Sequence, residues 1–164
     1  MQREILFRTI SGSRLYKFHR TDSDYDYFTV VSNVPRKRAR HAKQKIVGNQ
    51  DSLVCDLSTF MQDCEKGVPQ ALEAMYSPIA EVDMISEFRA GYRINTAKVA
   101  NTYRRTINNF LKSGDFKRTR HAFRLQINLD QALRYGRIWP VLTEDEIEWC
   151  TRQAHDYAGS VRNG

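Results

Sequence analysis

The stretch Phe7-Arg8-Thr9-Ile10-Ser11-Gly12-Ser13-Arg14-Leu15-Tyr16-Lys17-Phe18, continued by Asp22-Ser23-Asp24-Tyr25-Asp26-Tyr27-Phe28-Thr29-Val30-Val31, decides how this chain reads. Ile5 to Ile10 has the composition of a short strand that ends at the Gly12 turn. Ser13 to Phe18 is expected to form one helical turn, and 20–23 a loop. Asp24 to Val31 then reads as a second strand, rich in Tyr, Phe, Thr and Val. On a strand, residues two apart face the same way, so Asp24 and Asp26 would stand side by side. Paired carboxylates repel unless a cation lies between them, and hard divalent cations prefer oxygen ligands. The Gly12-Ser13 turn just upstream offers backbone N–H groups and a hydroxyl to a phosphate. Metal beside phosphate is the arrangement that phosphoryl and nucleotidyl transfer uses.

Working outward, Pro35 ends the second strand and a basic loop follows, closed by Gly48-Asn49. Ser52 to Asp56 reads as a third strand. Ser58 is the expected cap of a helix to about Glu65, and Pro69 starts another to about Met75. The second half is helical in pattern. Val99, Tyr103, Ile107, Phe110 and Leu111 recur at helical spacing, as do Phe123, Ile127, Leu129 and Leu133. Gly114-Asp115 separates these two helices and Gly136 ends the second. Thr143 and Glu146 have the spacing of a capping box, and Gly159-Ser160 is expected to mark a frayed tail. Tyr103, Phe123, Trp139 and Trp149 read as core. Strands first and helices after is the α+β pattern. It predicts a small sheet-based unit over 1–76 and a helical part over 77–164 packed on it as one compact domain.

Composition narrows the classes. A hydrophobic content of 41% with 27% charged residues excludes a disordered chain. No apolar run approaches membrane-spanning length, and no signal-like segment opens the chain. Cys55, Cys64 and Cys150 show no paired spacing, which predicts reduced thiols and a cytoplasmic protein. His19, His41, His121 and His155 show no zinc spacing. The net charge of +7 is concentrated. Arg36, Lys37, Arg38, Arg40, Lys43 and Lys45 share one segment with no acid, and Arg104 to Arg124 is opposed only by Asp115. Clustered cations are the footprint of a polyanion partner such as RNA.

Gly12-Ser13 followed by Asp24-x-Asp26 resembles the signature of the DNA polymerase β-like nucleotidyltransferase superfamily. The fuller string is closer to a branch of predicted nucleotidyltransferases found in bacteria and phages. Three later segments extend the resemblance, which covers about residues 7–142. Cys55-Asp56-Leu57-Ser58-Thr59-Phe60-Met61 is similar to an acid-Leu-x-x-Phe-Leu stretch. Gly67-Val68-Pro69-Gln70-Ala71-Leu72-Glu73-Ala74-Met75 is similar to Gly-Asn-Pro-x-x-Leu-Glu-x-Leu. Lys117 with His121-Ala122-Phe123-Arg124-Leu125, then Gly136, resembles a Lys-x-x-x-His-x-x-Arg-Leu helix. Phe28-Thr29 departs from the branch's usual Arg-Gly, and Val68 from its Asn.

The resemblance implies a small mixed sheet followed by helices, and an enzyme that moves a nucleoside monophosphate from an NTP to a hydroxyl with release of pyrophosphate. Asp24, Asp26 and Asp56 would hold two Mg²⁺ or Mn²⁺ ions, with Asp51 as the alternative third carboxylate. Gly12, Ser13 and Arg14 would meet the phosphates. Lys117, His121 and Arg124, at i, i+4 and i+7, share one helix face that would close over the triphosphate, Arg124 as a bidentate clamp. Arg36, Lys37, Arg38 and Arg40 would contact a nucleic-acid acceptor, with an RNA or tRNA end favoured over a small molecule or a protein side chain. Two other classes stay open: an inactive RNA- or protein-binding module on the same fold, and an antitoxin-like protein that modifies a protein partner. No membrane partner is expected.

Overall fold

The structure is a computed structural model that describes residues 3–33, 43–47 and 50–162, with backbone alone at 43–47, 50, 51, 161 and 162. Among the described residues, five strands form one mixed sheet: β1 (Ile5–Ser11), β2 (Tyr25–Val31), β3 (Lys43–Val47), β4 (Gln50–Asp56) and β5 (Ala80–Asp83), in the order β3-β4-β2-β1-β5. β2 and β4 run parallel and every other pairing is antiparallel. The described helices are α1 (Ser13–Tyr16), α2 (Leu57–Lys66), α3 (Pro69–Met75), α4 (Ser86–Gly91), α5 (Thr96–Lys112), α6 (Phe116–Tyr135) and α7 (Glu144–Arg162). The class is α+β, as the order of sequence patterns predicts.

Side chains of the interior strands β1 and β2 build the core against the helices. Phe7 and Thr9 of β1 and Phe28 and Val30 of β2 are buried, and Phe7 and Phe28 meet Phe60 of α2 at ring-centroid distances of 6.2 and 5.6 Å. Leu72 and Met75 of α3, Val99 and Tyr103 of α5, and Leu125 and Leu129 of α6 join the same cluster. Full burial pushes the Tyr103 hydroxyl well above its ordinary pKa. A second cluster ties the start of the chain to its end. Tyr16 and Phe18 pack with Leu142 and Cys150, and Phe123, Ile127 and Trp149 lie against them. The short α1 turn that follows Gly12 is thereby held by α6 and α7 rather than by the sheet alone.

Helix ends follow their caps. Asn95 accepts from the Lys98 N–H at 3.2 Å and Asp115 from the Lys117 N–H at 3.1 Å. Thr143 and Glu146 form the reciprocal capping box, at 2.9 and 3.2 Å. Gly136 closes α6 in the left-handed conformation.

Several expectations are corrected. The helix after β4 is capped by Asp56, whose carboxylate accepts from Thr59 N–H at 2.8 Å, and not by Ser58, whose N–H goes to Asn33. Residues 43–47, read as loop, pair with β4. β5 and α4 were not expected, because four half-exposed residues and a six-residue helix carry too few turns to show a period. Met84 N–H donates to Leu6 C=O and Arg89 pairs with Asp83, which keeps this segment on the sheet edge. α7 runs through Gly159 and Ser160, where Ser160 Oγ donates to Tyr157 C=O at 2.8 Å. Trp139 is exposed, with Arg137 4.4 Å from its ring.

Gly67, at φ +79°, ends α2 where it meets α5. A Cβ there would stand 2.6 Å from Val99 Cα. Backbone cannot yield as a flexible side chain does. Gly67→Ala should therefore cost at least about 2 kcal/mol and lower Tm by several degrees, by calorimetry or thermal melting. A variant that melts with the wild type would contradict this packing.

Candidate active site

The end of β1, the α1 turn and the start of β2 meet at one point. Gly12 has φ +64° and ψ −151°, a backbone region that only glycine occupies without strain. A Cβ on Gly12 would collide with Oδ2 of Asp26 and stand 3.2 Å from its Cγ. Register explains the contact, because Ser11 is the antiparallel partner of Asp26. The turn after Ser11 thus folds directly over the Asp26 carboxylate. Gly12 C=O also accepts from Leu15 N–H at 2.9 Å, which fixes the turn.

Two cavities meet at Asp26. The smaller, about 350 Å³, is lined by Ser13, Asp22, Ser23, Asp24, Asp26 and Lys117. The larger, about 470 Å³, has Gly12, Tyr16, Asp26 and Tyr27 on its sheet side and Glu73, Thr106, His121 and Arg124 among its helical walls. Asp26 belongs to both. The sequence-predicted Gly12, Ser13, Asp24, Asp26 and Lys117 are therefore brought together, although Asp24 lies just before β2 and not within it.

The third carboxylate is placed differently from the first expectation. In the parallel β2–β4 pair, Asp26 is the register partner of Asp51, whereas Asp56 partners Val31 at the other end of the strands. Five residues of strand separate them by about 16 Å. Asp56 is 5% exposed and caps α2. The Asp-Leu motif that singles it out marks a helix start.

Arg14 also differs from its expected phosphate role. Its guanidinium donates to Ser23 C=O at 2.8 Å and lies 3.8 Å from the Tyr25 ring centroid, so it braces the loop that carries Asp24. Arg124 is no open clamp. It is buried, donates to Glu73 at 2.5 Å and stacks on Tyr16 at 3.8 Å. Burial opposes its charge, but the Glu73 carboxylate more than offsets this and holds its pKa above the ordinary value. Glu73 is the residue that sequence reading missed. Its signal was present: an acid among the apolar positions of α3, where 71–75 are all buried.

His121 sits among Tyr16, Phe18 and Phe110, with ring centroids 5.6, 5.6 and 6.2 Å away. Burial, then the cations of Arg124, Arg120 and Lys117, pushes its pKa down to about 3, opposed only weakly by Asp115. It is a neutral wall of the larger cavity, not a cationic phosphate ligand. Arg36, Lys37, Arg38 and Arg40 lie outside the described residues.

A Gly-Ser turn closed on a strand carboxylate, at the ends of two interior strands of a small mixed sheet, resembles the arrangement of polymerase β-like nucleotidyltransferases. The family described as "RlaP: RNA repair pathway DNA polymerase beta family" matches residues 1–158. The chain belongs to this family. No curated protein matches it significantly. Membership of the RlaP family makes the chain one of the polymerase β-like nucleotidyltransferases. Among the described residues, no helix is long and apolar enough to cross a membrane.

The His121 shift has a definite sign. The folded state resists a proton that the unfolded chain accepts near pH 6.5, so His121 contributes nothing above that pH and an increasing penalty from there down to about pH 3. Between pH 7 and pH 5 this penalty reaches about 2 kcal/mol. Urea titrations at both pH values should show that difference disappear in His121→Phe. An undiminished acid sensitivity in the variant would contradict the neutral, caged imidazole.

Proposed function

We propose that this chain transfers a nucleoside monophosphate from an NTP to a hydroxyl of RNA, using divalent cations held by Asp24, Asp26 and Asp51. The reading rests most on one observation: Ser13, Asp24, Asp26 and Lys117 line a single polar cavity next to a second cavity that shares Asp26. An RNA acceptor is favoured by the family's description and by the clustered basic residues.

The donor set suits magnesium. Among the described residues, no three His, Cys, Asp or Glu side chains form a ready-made metal cluster. Magnesium rarely needs one, since one or two carboxylates plus substrate phosphates and waters complete its shell. Asp24 and Asp26 supply such oxygens in the same cavity, and Asp51 occupies the register position beside Asp26. Bound there, the cation would offset carboxylate–phosphate repulsion and polarise the phosphoryl oxygens.

The protein's own part is positioning. Ser13 donates its hydroxyl to the leaving polyphosphate, and Lys117 counters its charge from the other wall of the cavity. In-line displacement requires the attacking and leaving oxygens on opposite sides of the phosphorus. With the polyphosphate in the smaller cavity, the acceptor hydroxyl comes from the larger one. Its oxygen bonds to the α-phosphorus, the bond to pyrophosphate breaks, and the hydroxyl proton passes to a carboxylate, for which Asp51 is nominated.

Transfer of label from α-labelled NTPs to RNA tests the assignment. Asp26→Asn and Asp51→Asn should each lower the rate at least about 100-fold, and chelation should do the same. Asp56→Ala should keep near-normal transfer and lose about 1 kcal/mol of stability as a missing helix cap. Full activity in Asp51→Asn, with loss of activity in a folded Asp56→Ala, would reverse the choice of third carboxylate. Activity in Asp26→Asn would remove the proposal.

A further inference from the structure

A groove on α5 lies beside the larger cavity. Its volume is about 420 Å³, and Val68 and Thr106 line both spaces. The groove is built by residues one or two turns apart on a single helix face: Lys98, Asn101, Arg105 and Asn109. Lys66, at the end of α2, forms the opposite bank. Thr102 Oγ1 donates to Lys66 C=O at 2.7 Å, which fixes the two banks to each other. Lys66, Lys98 and Arg105 are all exposed, and no residue lining the groove is acidic. The nearby acid, Glu65, approaches Lys98 at 3.5 Å from outside the lining.

We infer that this groove is the track for the acceptor strand, a single-stranded RNA whose end enters the larger cavity past Thr106. The inference rests on the nucleotidyltransferase reading for its direction, since the larger cavity is where the attacking hydroxyl must arrive. Three physical features select RNA. Lys98 and Arg105 follow one line along α5 with Lys66 facing them, which places cations on both flanks of a phosphate backbone, and from Lys98 to Asn109 the helix spans about 16 Å, or four to five stacked nucleotides. Amide and hydroxyl groups of Asn101, Asn109 and Thr106 alternate with the cations and suit sugar 2′-hydroxyls, which DNA lacks. The groove is open to solvent along its length, so it fits a flexible strand better than a packed protein surface.

The test uses the whole chain and a labelled single-stranded RNA of about 12 nucleotides, titrated without NTP at several salt concentrations. Replacing Lys66, Lys98 and Arg105 together by Ala should weaken RNA binding at least about tenfold and reduce the slope of log affinity against log salt by about 2. The matching DNA strand should bind the wild type more weakly. All three side chains are exposed, so the variant's melting curve should match the wild type. NTP binding in magnesium, measured separately by calorimetry, should be equal in both proteins. An unchanged RNA slope, or equal affinity for DNA, would overturn the inference. So would a salt slope carried wholly by Arg36, Lys37, Arg38 and Arg40, measured in a quadruple Ala variant. Wild type that binds RNA through the groove but never binds NTP would defeat the nucleotidyltransferase reading and leave the track standing.

Discussion

The site depends on the absence of a side chain at Gly12. Only a residue without Cβ can take that backbone conformation while the chain passes over the Asp26 carboxylate. The contact fixes the turn against the strand, so Ser13 and Asp26 keep a defined relation whatever the neighbouring loops do. It also leaves Asp26 lining two cavities of different character. In the proposed reaction the nucleophile would enter by one of these cavities and the charged leaving group would occupy the other.

The helical half does more than cover the sheet. Tyr16 and Phe18, immediately after the Gly-Ser turn, are gripped by the cluster from α6 and α7. Arg124 reaches from α6 to Glu73 on α3 and presses on Tyr16 at the same time. A buried pair of this kind adds little net stability, but loss of either partner leaves an uncompensated charge in the interior. It fixes α3 and α6, and hence the walls of the larger cavity, in one arrangement. Arg14 acts similarly at the surface, holding the Thr21–Ser23 carbonyls so that Asp24 reaches the cavity.

Local signals were legible in the sequence where the physics is local. The Gly12 turn, the strands around it, the α5–α6 break at Gly114-Asp115 and the Thr143 capping box all follow from a few adjacent residues. What was not legible depends on register and on distant contacts. Asp56 looked like a site carboxylate because it lies on the right strand. Only the parallel pairing of β2 with β4 reveals that Asp51 is the residue opposite Asp26. Lys117, His121 and Arg124 do share a helix face, as their spacing implies. Spacing alone could not tell that one end of that face meets a polar cavity while the other is buried against Glu73 and aromatic rings. The short β5 strand is a sheet edge created by its partner, with almost no pattern of its own.

The central claim is that Gly12 exists to let Asp26 stand at a metal-bearing phosphate site. Calorimetric titration of an NTP into Gly12→Ala, with and without magnesium, addresses it most directly, with circular dichroism to verify that the variant is folded. The proposal predicts that magnesium raises the NTP affinity of the wild type and that a displaced Asp26 abolishes this gain. A folded Gly12→Ala that retains the full magnesium-dependent gain would contradict the account.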